Sequence, residues 1–72
     1  MKLDKKTKKL LLQQGIQNIA SQRYLTEVDL QLMKLRALDG IKDAAEAAEQ
    51  LEKRLDYLTD QEAHYESTHK DL

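Results

Sequence analysis

The sequence predicts an all-α protein, a short helical bundle or helical hairpin whose third helical stretch carries a heptad pattern and self-associates. Three observations point there. The chain has no proline and only two glycines in 72 residues, so little interrupts a helix. Strong helix formers (Ala, Leu, Lys, Gln, Glu, Arg) dominate, while one valine and three isoleucines leave almost no material for a sheet. Apolar residues recur at seven-residue intervals from Ile41 onward.

The first helical stretch is expected from about Lys5 to Gln22. Asp4 is placed to cap it, with Leu3 packing down in front. Leu12, Ile16, Ile19 and the stem of Arg23 follow at spacings of four, three and four, and Leu11 and Ala20 broaden the stripe. Gly15 interrupts the pattern and marks either a close helix contact or a weak helix. The lysines near its start sit at the wrong end of the helix dipole, so the first turn needs something acidic nearby to stay wound.

The second stretch opens on a capping signal: Thr26 as N-cap, Asp29 three residues on, and a Leu25–Leu30 staple. This predicts a break at Tyr24–Leu25. Beyond it, Val28, Leu32 and Leu35 line one face, while Leu30, Met33, Ala37 and Leu38 line another. A helix this apolar around its girth is expected to lie between neighbours.

The third stretch is the heptad run. Ile41, Ala48, Leu55, Glu62 and His69 are seven apart, and Ala44, Leu51, Leu58, Tyr65 and Leu72 follow three behind. The apolar pattern lapses after Leu58, so residues 67–72, like residues 1–4, are expected to fray from the single domain. Asp39-Gly40 leaves two readings open. It is a helix stop, with Asp43 and Glu46 recapping the next helix, or a glycine inside one long helix that shifts phase.

Charge is balanced overall but not along the chain. Residues 1–23 carry +5, residues 24–42 sum to zero, and residues 43–72 carry −6. Such asymmetry bears on partners more than on fold. Head-to-tail folding would bring the opposite signs together within the chain. Leu10–Leu12 run straight into Gln13 and Gln14, too short a block for a secretory h-region of about 7 to 15 residues. A membrane span needs about 20 apolar residues, so no stable insertion is expected and a cytoplasmic location is the default.

No constellation for catalysis emerges. Ser67 stands near His64 without a glycine-rich elbow, and Glu62 and Glu66 read as a solvated helix face. Glu66 and His69 form one lone E-x-x-H element, which is too little for a metal site. Without cysteine, thiolate ligands and disulfides are excluded. No cofactor, no metal and no enzymatic activity are expected.

The sequence therefore predicts a small non-enzymatic interaction or regulatory module. A homo-oligomer or partner interface is expected at Ile41, Ala44, Ala48, Leu51, Leu55 and Leu58. A surface for a larger protein is expected at Leu30, Met33, Leu38 and Tyr57. The alternative is a nucleic-acid-associated regulator in which Lys5, Lys6, Lys8 and Lys9 track phosphates and Gln13 and Gln17 meet bases.

Overall fold

The computed structural model describes residues 2–72 and is all-helical. Two helices, α1 (Lys5–Leu38) and α2 (Lys42–Lys70), form an antiparallel hairpin. Its extents are 54 × 20 × 14 Å, the proportions of two helices side by side.

Asp39-Gly40 is the hairpin turn. Gly40 adopts φ +84°, a left-handed conformation that glycine enters without a Cβ penalty. The Ile41 N–H donates to the Arg36 carbonyl and the Gly40 N–H to the Ala37 carbonyl, each at 3.1 Å. This 6→1 and 5→2 pair is a Schellman cap, which satisfies carbonyls that the ending helix would leave orphaned. The helix that follows starts two residues earlier than expected. Ile41 is its N-cap, with no side-chain hydrogen bond, and Asp43 lies inside the first turn, where a negative charge favours the dipole.

The expected break at Tyr24–Leu25 does not occur. The described residues form two helices rather than three, because α1 runs through that point without interruption. Leu12, Ile16, Ile19, Arg23, Thr26, Leu30, Met33 and Ala37 keep an alternating four-three spacing along its whole inner face. Arg23 and Thr26 are polar members of that series. Thr26 is not a cap but a buried mid-helix residue. Its hydroxyl donates to the Gln22 carbonyl at 2.7 Å, which satisfies the group within its own helix.

The core is a thin seam. Ile19, Leu30, Ala44, Ala48 and Leu58 are its buried apolar residues. Three contacts fix the antiparallel register: Gly15 against Tyr65, Arg23 against Glu62, and Lys34 against Glu52. The expectation that the middle of α1 lies between neighbours also fails. A two-helix hairpin offers one seam only, so Leu25, Val28, Leu32 and Leu35 remain in solvent.

At the open end, Asp4 caps α1. Its Oδ1 accepts from the Thr7 N–H at 2.7 Å, and this bond holds the carboxyl below its ordinary pKa. Helical geometry in α2 continues to Lys70.

Candidate functional site

The heptad frame does not end at Leu58. Glu62, Tyr65 and His69 are each partly buried on the same face of α2, and Leu72, just past its end, is partly buried too. Polar chemistry replaces the leucines, while the geometry continues. Arg23 Nη1 donates to both carboxylate oxygens of Glu62 at 3.2 Å. One nitrogen straddles the carboxylate, so this is not the parallel two-nitrogen fork, and the buried Nε has no partner. The side chains remain 33% and 17% exposed. The pair thus sits at the edge of the seam and bridges the basic half of α1 to the acidic α2.

About two turns of α1 nearer the open end, Gly15 explains its own presence. A Cβ there would stand 2.7 Å from Cε2 and 3.0 Å from Cδ2 of Tyr65. The ring occupies the space that any other residue would fill. Of the two sequence readings for Gly15, the structure selects the close helix contact.

The residues expected at an oligomer or partner interface divide by depth. Ala44, Ala48 and Leu58 are buried within the hairpin itself, and Leu51 and Leu55 are half-buried. Ile41 is exposed at the turn. The residues expected to form a surface for a larger protein do not share one. Leu30 is buried and Met33 half-buried in the seam, whereas Leu38 is 84% exposed beside the turn and Tyr57 is exposed on α2.

The basic residues surround the open end. Lys6, Lys9, Leu10 and Gln13 line a shallow groove with His69. Lys8, Leu11 and Leu12 line a second groove with Thr68 and Leu72. Lys5 and Gln17 are exposed nearby. Among the described residues the ion pairs are Arg23–Glu62, Lys34–Glu52 and Lys53–Glu49, so none involves Lys5, Lys6, Lys8 or Lys9. The described residues hold no group of three or more His, Asp or Glu placed to share a metal ion. Among the described residues no helix is long and apolar enough to cross a membrane.

The most unusual surface is one that the broken-helix reading concealed. In a continuous α1, Leu25, Val28, Leu32 and Leu35 recur at spacings of three, four and three, on the side away from the seam. Leu25 and Leu35 are each 62% exposed. Tyr24 and Leu38 border them, and Ser21 and Gln31 fill the gaps. The stripe itself carries no charge, although 35% of the chain is charged, and Asp29 and Arg36 border it on the flank opposite Tyr24 and Leu38. The sequence signal was the phase relation. Once Thr26, Leu30, Met33 and Ala37 are taken as one face, the other four lie opposite.

Comparison with protein-family models, with curated proteins and with solved structures finds no match.

Proposed function

We propose that this chain is a non-enzymatic protein-interaction module. The inner seam folds the hairpin, and the outer face of α1 is its working surface. The observation that carries this reading is the uncharged stripe of Leu25, Val28, Leu32 and Leu35. Scattered exposed leucines are ordinary on a soluble protein, but a contiguous apolar strip bordered by polar residues is the signature of a docking face. An amphipathic helix offers such a strip to another helix through i, i+3, i+4, i+7 anchors.

The test is site-specific photo-crosslinking in cells that produce the protein. A photoreactive residue is placed at Leu32 on the outer face of α1, or at Asp56 on α2. Protein adducts formed from position 32 and absent from position 56 are the expected result. Equal labelling from both positions, or none from position 32, overturns the proposal.

A second reading is favoured by Lys5, Lys6, Lys8 and Lys9. They stand exposed without carboxylate partners at one end of the rod. In that reading the open end grips the phosphates of DNA or RNA, with Gln13 beside them. Changing the four lysines to alanine should then weaken binding to mixed-sequence duplexes and flatten its salt dependence. No mobility shift by the native chain at about 50 mM salt would exclude this reading.

A further inference from the structure

We infer that the occupant of the outer face of α1 is a second copy of the same chain, paired antiparallel about a two-fold axis level with Leu30. This inference rests on the docking role proposed for that face and names the partner it takes.

The first argument is the symmetry of the stripe. Leu25 and Leu35 each lie five residues from Leu30, and Val28 and Leu32 each lie two residues away. A two-fold pairing requires a self-complementary patch, in which residue i meets j and j meets i. Here Leu25 of one copy meets Leu35 of the other, and Val28 meets Leu32. In such a pair each flank of the helix also faces the same flank of its partner. Tyr24 and Leu38 share one flank, so the tyrosine of one copy falls beside the leucine of the other. Asp29 and Arg36 share the opposite flank, so Arg36 of one copy reaches toward Asp29 of the other.

The second argument is charge. Residues 24–42 are neutral, whereas residues 1–23 carry +5. Parallel pairing would set two basic heads side by side, about 10 Å apart. Antiparallel pairing about Leu30 sends them to opposite ends. Lys8 is 22 residues from the axis, so the two heads stand roughly 65 Å apart at 1.5 Å per residue. The acidic α2 helices lie on the outside of both hairpins, out of the interface.

The third argument is area. Tyr24, Leu25, Val28, Leu32, Leu35 and Leu38 together leave on the order of 700 Å² in solvent, close to the ~800 Å² that each partner buries in a stable interface.

Light scattering behind size exclusion tests the pairing, at about 50 and 500 mM salt and up to about 200 µM chain. The expected mass is twice 8.4 kDa at both salts, since the contact is apolar. A Val28→Glu/Leu32→Glu variant should run at half the native mass with its helicity retained. Orientation is read by disulfide trapping, which is clean because the chain has no cysteine. An equimolar mixture of Leu25→Cys and Leu35→Cys chains should crosslink on mild oxidation, while neither variant alone should. Efficient crosslinking of Leu25→Cys with itself would mean parallel pairing and overturn the geometry. A native monomer throughout, with no disulfide from the mixture, overturns the second copy as partner. In that case position-32 adducts to other proteins would still uphold the docking role.

Discussion

The two helices of this hairpin share one seam but present different outer surfaces. The outside of α2 carries Glu49, Glu52, Lys53, Asp56 and Asp60, all exposed. The outer stripe of α1, Leu25, Val28, Leu32 and Leu35, carries three leucines, a valine and no charge, with Asp29 and Arg36 only at its border. Folding a two-helix hairpin needs one apolar face on each helix. The second helix meets that requirement and stops, whereas the first exceeds it. The excess on α1 is not explained by the internal fold, and association is the use we propose for it.

Substitutions that separate the two faces give the largest expected contrast. Leu58 is 2% exposed in the seam. Leu58→Ala should cost on the order of 2–4 kcal/mol, the range for a buried leucine that leaves a cavity, and in so thin a core should unfold much of the population. Leu35→Ala, on the outer face, should change the stability of the monomer by less than about 0.5 kcal/mol. Chemical denaturation at low micromolar concentration measures both. Equal losses would mean that the outer face takes part in the internal fold, and the contrast between the helices would collapse.

The Arg23–Glu62 bridge gives the next effect. It is the polar interruption shared by both helices at the seam. Arg23→Ala should cost about 1–2 kcal/mol, because Glu62 keeps its charge in a largely desolvated position. The exposed third of Arg23 keeps the figure low. The paired Arg23→Leu/Glu62→Leu replacement should be neutral or stabilising, since it removes both desolvated charges at once. A double-mutant cycle followed by thermal melting decides the matter. If the double variant is less stable than either single one, the bridge contributes more than its geometry implies.

These same residues show what sequence reading could and could not recover. The all-helical class was legible because helix formers dominate and proline is absent. The turn at Asp39-Gly40 was legible as one of two choices, and the left-handed conformation of Gly40 decided it. The continuity of α1 was not legible. Thr26 and Asp29 imitate a capping box after a staple, and that local signal outweighs a heptad frame whose middle members are Arg23 and Thr26. Two contacts reversed the balance: across the seam Glu62 supplies a partner for Arg23, and within α1 the Gln22 carbonyl accepts from Thr26. The outer stripe stayed hidden for the same reason. Its phase has meaning only when Leu25 and Leu35 belong to one helix. The Gly15–Tyr65 contact was half legible, as a glycine in want of a reason. Its partner lay 50 residues away, beyond any local pattern.

That contact yields a smaller effect with a definite sign. Alanine at position 15 would gain up to about 1 kcal/mol in helix propensity. Its Cβ would also meet the Tyr65 ring at 2.7 Å, and overpacking of this kind costs about 1–3 kcal/mol. Gly15→Ala should therefore be net destabilising in the native background. In a Tyr65→Ala background the clash is gone, and the same substitution should become stabilising. Thermal melts of the four chains give the answer. A stabilising Gly15→Ala in the native background would show that the ring yields at little cost.

The smallest effect is at the start of α1, where the helices differ again. The first turn of α2 carries an acid, Asp43, but no side-chain cap, while α1 has a side-chain cap and no acid in its first turn. Asp4 alone supplies the negative charge that faces the α1 dipole ahead of Lys5 and Lys6. Its folded pKa is lowered by the Thr7 N–H bond. The stabilisation is therefore fully present above the ordinary carboxylate range and is lost as pH falls through the folded pKa. Acidification should release the Thr7 and Lys8 amides to faster hydrogen exchange before the seam opens. Asp4→Ala should show that faster exchange at every pH, with no added acid sensitivity at the helix start. Asp4→Asn separates the two contributions, because it keeps an oxygen acceptor and loses the charge. If Asn protects the amides as well as Asp does, and independently of pH, the cap acts by hydrogen bonding alone and the dipole adds nothing. If protection falls between that of Asp and Ala, the carboxylate charge is what steadies a helix start followed by four lysines.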